Sequence, residues 1–139
     1  MRSIIAALAL TLCAQPAAAG ALDLLVPYTK SFPHCSDEKV LATIVKEFNW
    51  AEKNTWHRGY GLETVVDPHE STTHDHGYRR IARRYCRGEA VLTNGHHPRV
   101  LYMIERGQGF AGTGFNVAWC ISSLDPWREY GDGCRVLRY

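Results

Sequence analysis

Four cysteines, Cys35, Cys86, Cys120 and Cys134, lie behind an N-terminal stretch built like a removable export signal, and this pairing limits the fold more than any other feature of the chain. Met1 and Arg2 make a short positive start, Ile4 to Leu12 an apolar run, and Ala17-Ala18-Ala19 a small-residue cleavage site. The pattern predicts a signal peptide over residues 1–20 and one domain over 21–139. Cys13 leaves with the signal, because Leu12 is too bulky for lipoprotein processing at that cysteine. An even set of thiols then enters a compartment where disulfides persist, so the expected location is periplasmic or secreted, and the signal has a bacterial composition.

About 120 residues make a single domain of ordinary size, with one core that two disulfides would reinforce. The whole chain carries a formal charge of +2, and loss of Arg2 leaves it nearly neutral, which argues against nucleic acid as a partner. Past the signal no stretch is long and apolar enough to span a bilayer, so no transmembrane segment is expected.

Along the domain, residues 22–33 lack a clear period and contain Pro27 and Pro33, the mark of an extended lead-in. Ser36 stands where an N-cap belongs, Asp37 and Glu38 suit the positive end of a helix, and Val40, Leu41, Ile44, Val45 and Phe48 recur at helical spacing. One helix is therefore predicted, running to about Asn54, with Lys39, Lys46, Glu47 and Lys53 on its wet side. The period then changes to that of strands, predicted over 60–66, 80–93, 99–105 and 110–121. Residues 68–77 read as a polar loop, Asn94-Gly95 as a turn, Gly88 as a bulge, and Gly107 and Gly109 as a corner. The tail from Asp125 onward reads as irregular.

A helix followed by a meander of about four antiparallel strands must bury its apolar stripe on one sheet face. The fold class is α+β: one long N-terminal helix on a curved sheet, stapled by disulfides. Its layout resembles cystatin-like and NTF2-like rolls, although no cystatin inhibitory loop is visible and protease inhibition is not implied. Four cysteines allow three pairings. The expected one joins Cys35 to Cys86, tying helix start to long strand, and Cys120 to Cys134, pinning the tail.

Gly107, Gly109 and Gly112 match the spacing of a dinucleotide-binding loop, but they run into a strand rather than a helix and no βαβ unit fits, so no cofactor is expected. His69, His74 and His76, with Glu70 and Asp75, form the densest set of possible metal ligands, and His96 and His97 a second; neither has the spacing of a closed zinc site. His57 with Asp67 or Glu63 is the conceivable acid–base pair for catalysis, in a chain without a Gly-x-Ser-x-Gly elbow or a His-Glu-x-x-His motif.

Arg80, Arg83, Arg84 and Arg87, beside Arg79, concentrate positive charge. They are either a solvated edge paired with Glu63, Glu89 or Glu105, or a partner surface for an envelope protein or an anionic envelope component. On a strand, Arg83 and Arg87 share one face while Arg80 and Arg84 share the other. Four tryptophans are many for this size. Trp50 and Trp119 suit the core, whereas Trp56, with His57 and Arg58, suits the open end of the roll, where a pocket belongs. Tyr60, Tyr78, Tyr130 and Tyr139 lie near loops or ends, within reach of a ligand.

The run Phe48-Asn49-Trp50-Ala51-Glu52-Lys53-Asn54-Thr55-Trp56, then Arg84-Tyr85-Cys86-Arg87, Gly109-Phe110-Ala111-Gly112, Trp119-Cys120 and Asp125-Pro126-Trp127, resembles a group of small uncharacterised secreted proteins of alphaproteobacteria. The resemblance covers most of the mature chain and implies location and fold, with no activity attached. The expected function is an exported, disulfide-stabilised binding or accessory module of the cell envelope. The alternative is a small hydrolase or metal-binding protein using His57 or the His69–His76 loop.

Overall fold

The helix begins one residue later than expected: Asp37, not Ser36, is its cap, and the Asp37 carboxylate accepts the Lys39 N–H at 2.9 Å. In the computed structural model, which describes residues 33–74, 81–108, 114–125 and 127–139, this helix, α1, spans Glu38–Ala51. The signal and most of the expected lead-in thus lie outside the described residues. The helix buries Val40, Ile44 and Phe48, one residue per turn on a single stripe. Trp50 lies away from that stripe and is 65% exposed, so the expectation that it fills the core is wrong.

Instead of continuing regularly to Asn54, the chain leaves α1 through one π-helical turn, Glu52–Trp56, closed by the His57 N–H on the Glu52 carbonyl at 2.9 Å. A π turn takes more residues per revolution than an α turn. The slower rotation returns Trp56 to the buried stripe, where its ring meets Phe48 edge-on with centroids 5.7 Å apart.

Four strands follow: β1 Leu62–His74, β2 Arg83–Leu92, β3 Arg99–Arg106 and β4 Phe115–Ile121. They form one antiparallel sheet in the order β1-β2-β3-β4. Asn49 clamps α1 to the start of this sheet. Its side-chain amide donates to the Leu62 carbonyl at 2.9 Å and accepts the Leu62 N–H at 2.8 Å, as a neighbouring strand would.

Two sequence expectations change in β1. Residues 68–74 are strand rather than loop, because an edge strand tolerates polar residues and a proline that a central strand would reject. The bulge expected at Gly88 sits across from it: β2 pairs with β3 in unbroken register through Gly88, while β1 carries an extra residue between Val66 and His69, with Asp67 at φ 52°. Gly88 makes room for that bulge. A Cβ there would stand 2.9 Å from the Val66 carbonyl oxygen. At the β3–β4 corner Gly107 turns with φ +70° and its N–H reaches the Gly114 carbonyl at 2.8 Å; Gly109 and Gly112 lie outside the described residues.

The sheet is covered on both faces. Against α1 it buries Leu62, Val65, Cys86, Ala90, Leu92, Val100, Tyr102, Ile104, Val117 and Ile121 with Val40, Ile44 and Phe48. Against the C-terminal segment, part of which is a kinked 3₁₀ stretch at Asp132–Leu137, it buries Leu101 and Cys120 with Cys134 and Leu137. Each layer has its own staple. Cys35 is bonded to Cys86 on the helix side and Cys120 to Cys134 on the tail side, the pairing the sequence suggested. The Tyr102 hydroxyl, wholly buried, donates to the Cys35 carbonyl at 2.8 Å beside the first bridge.

Candidate functional site

The concave feature with the most developed chemistry lies where the end of α1, the π turn, β4 and the loop after β4 converge. It is a cleft of about 250 Å³ with Phe48, Trp56, Trp119 and Tyr130 among its walls and Glu47, Asp125 and Glu129 as its charged groups. The π turn supplies Trp56, alternation on β4 supplies Trp119, and the Cys120–Cys134 bridge closes the loop that carries Asp125, Glu129 and Tyr130.

Its rings stand at steep angles to one another. Trp56 and Trp119 are nearly perpendicular, with centroids 6.5 Å apart, and Phe48 meets Trp119 at 50°. Trp127, 67% exposed, lies 6.3 Å from Trp56. The Trp119 indole is aimed by its N–H, which donates to the Glu47 carboxylate at 2.8 Å. Asp125 accepts the Glu129 backbone N–H at 3.3 Å and so shapes the loop. Burial pushes the Tyr130 phenol up from its ordinary pKa, and the negative charges of Glu129, Glu47, Asp125 and Glu105 push it further.

Behind Trp56 the protein holds a cation of its own. The Arg58 guanidinium lies 4.4 Å from the Trp56 ring centre, 5.1 Å from that of Tyr60 and 5.7 Å from that of Phe48. Glu52, only 6% exposed, neutralises it through an ion pair and also accepts the Arg58 backbone N–H at 2.9 Å. Arg58 reaches on to the Leu124 carbonyl at 3.1 Å, tying the helix exit to the loop beside the cleft.

The catalytic candidates lie outside this cleft. His57 is exposed with a left-handed backbone and faces a different, shallow cleft with Lys53 and Tyr60, whereas Asp67 sits in the β1 bulge. The histidine set is dispersed as well. His69 uses both ring nitrogens, Nδ1 to the Asp67 carbonyl at 2.7 Å and Nε2 accepting from Arg87. His74 packs edge-on against Tyr85 and Tyr139, Glu70 pairs with Arg84, and His76 and Asp75 lie outside the described residues. Among the described residues no three His, Cys, Asp or Glu side chains are grouped to hold a metal ion.

The arginines are mostly committed to internal partners. Arg83 pairs with Glu105 across the β2–β3 register at 2.8 Å, which raises the guanidinium's pKa, and Arg84 pairs with Glu70 at 2.9 Å and with the Pro33 carbonyl. Glu105 was among the expected partners; Glu70 was not. Arg87 lies with Arg99 and Arg138 around a shallow cleft on the tail side, and Tyr78, Arg79 and Arg80 lie outside the described residues.

Of the cleft residues, the sequence points Trp56 to a pocket, but Trp119 to the core and Glu47 to a solvated face. Trp119 packs against the core and lines the cleft at once. The available signal was the density of tryptophan together with acidic residues around Asp125-Pro126-Trp127. No protein-family model, curated protein or solved structure matches the chain.

Proposed function

We propose that this protein is an exported binding or accessory module of the cell envelope, and that its ligand seats in the tryptophan cleft. One observation carries the reading: Trp56, Trp119 and the Tyr130 phenol line one cleft together with the carboxylates of Glu47, Asp125 and Glu129, over a floor formed by the wholly buried Phe48. Angled aromatic walls with a few polar groups are suited to seating and orienting a small molecule.

Export, to the periplasm or beyond, rests on the signal pattern of residues 1–20 and agrees with two disulfides and with the absence, among the described residues, of a helix long and apolar enough to cross a membrane. The layout of a helix on a four-stranded antiparallel meander supports a cystatin-like or NTF2-like roll, in which the cleft opens at the end of the helix. Kinship with the small secreted proteins of alphaproteobacteria is part of the same proposal and rests on the tryptophan- and cysteine-bearing segments quoted above.

The test is a thermal-shift panel on the oxidised mature protein, with small organic cations, saccharides and branched alcohols as probes. A ligand at one hundred times its Kd stabilises by about 2.7 kcal/mol, a shift of several degrees for a domain of this size. One probe class should raise Tm, and Tyr130→Ala and Trp119→Ala, both at lining residues, should remove the shift. Shifts that survive both substitutions, or a panel with no shift at all, overturn the cleft reading. Mass spectrometry of the protein secreted by a bacterial host should show a chain beginning at Gly20 or Ala21; retention of residues 1–20 overturns export by signal cleavage.

A further inference from the structure

Resting on the cleft reading, we infer that the ligand is a compact organic cation, a molecule bearing a trimethylammonium or similar alkylammonium group. Ring faces carry the negative end of the aromatic quadrupole, and a cation near several faces is attracted to each. Trp56 and Trp119 both line the cleft and stand at 83° to each other, so the two indoles make a corner, with the wholly buried Phe48 behind them, that suits a rounded group better than a flat one.

Charge points the same way. Glu47, Asp125 and Glu129 line the cleft, no lysine or arginine is among the lining residues, and none of the three carboxylates is in an ion pair among the described residues. A cation entering there would meet all three carboxylates and no like charge from the lining. Arg58, which is not among the lining residues, shows that these rings accept positive charge, there balanced by Glu52.

A saccharide fits less well. Sugar rings stack on one flat face and need several donors as well as acceptors, whereas these walls are angled, three carboxylates dominate the polar lining, the Trp119 N–H is spent on Glu47, and the unpartnered Trp56 N–H is buried. The volume of about 250 Å³ is at the small end for ligand clefts and suits a head group rather than an oligomer. A primary ammonium would give up strong hydration on entering, while a methylated one presents apolar surface to the rings and keeps its charge for the carboxylates.

The experiment is calorimetric titration of the oxidised mature protein with choline, with its uncharged isostere 3,3-dimethylbutan-1-ol, and with N-acetylglucosamine. Choline should bind at least about tenfold more tightly than the isostere, the scale of a desolvated cation–π contact. The double variant E47Q/E129Q keeps an amide oxygen at position 47 that can still accept the Trp119 N–H. It should weaken choline about tenfold and leave the isostere unchanged, as loss of two nearby charges requires. Binding to phosphatidylcholine vesicles but not to phosphatidylglycerol vesicles would identify a lipid head group as the source, and binding of free choline alone a solute; either carries the inference. Equal affinity for choline and isostere, or binding of the sugar alone, overturns the cation while leaving the cleft as the site. No binding by any probe overturns both.

Discussion

The Glu47 carboxylate on α1 accepts the indole N–H of Trp119 on β4 at 2.8 Å, joining the helix to the far edge strand of the sheet. This bond sets the angle of one cleft wall. Replacing Glu47 with Ala should cost about 1 kcal/mol, the usual net worth of such a hydrogen bond, and Glu47→Gln much less. Urea titration followed by tryptophan fluorescence reads both; equal losses for Ala and Gln would show that charge rather than the bond matters.

Asn49 stands in for a strand neighbour at the start of β1. Asn49→Ala leaves the Leu62 N–H and carbonyl without those bonds and should cost about 2 kcal/mol. Asn49→Asp keeps the acceptor but sets a carboxylate against the Leu62 carbonyl, so it should be at least as damaging. A urea midpoint unchanged in either variant would show that the clamp contributes nothing.

The two disulfides should differ in what they protect. Cys35–Cys86 spans 51 residues and Cys120–Cys134 spans 14, so loop entropy favours the first, at about 4 against about 3 kcal/mol. The second borders the cleft. Cys120→Ser with Cys134→Ser should therefore lower Tm less than the Cys35/Cys86 double variant, yet abolish the ligand-induced shift. Retention of that shift would mean the loop holds its shape without the bridge.

Burial pushes the Tyr102 phenol far above its ordinary pKa, and Tyr85 and Tyr130 are raised too. The unfolded chain releases a tyrosine proton near pH 10, so the stability that neutral Tyr102 supplies is whole below about pH 10 and falls as the pH rises, by about 1.4 kcal/mol per unit per group. Tyr102→Phe should reduce the slope of that alkaline limb. It should also cost about 1 kcal/mol at neutral pH through loss of the Cys35 carbonyl bond. Urea midpoints from pH 8 to 11 decide the matter; parallel curves for the two proteins would sink the assignment.

Gly88 is required by a neighbour rather than by its own turn. A Cβ there meets the Val66 carbonyl oxygen at 2.9 Å and the Val65 Cγ1 at 3.0 Å, so Gly88→Ala should destabilise by about 1–3 kcal/mol as β1 is forced from β2. Amide exchange should quicken in residues 65–70. Wild-type protection there would show that the bulge moves aside at no cost.

Much of the framework is legible in local pattern. The stripe from Val40 to Phe48 declares an amphipathic helix, alternation declares strands, and Asn94-Gly95 turns the chain between β2 and β3, where Gly95 takes φ +80°. Polar periodicity misled where edge position overrode it, as in residues 68–74. It also misled at Gly88, because sequence marks a glycine without saying which strand bulges.

A helix, a meander and an even set of cysteines are written into the chain's own order of residues. They follow from periods and residue types that act over a few positions. It took the packed fold to decide that Glu47, Trp56, Trp119, Asp125 and Glu129 share one cleft and that Arg83 finds Glu105. Each convergence depends on strand register, on the rotation of one π turn and on where a disulfide closes a loop. Those are outcomes of packing the whole chain, and no local stretch of it contains them.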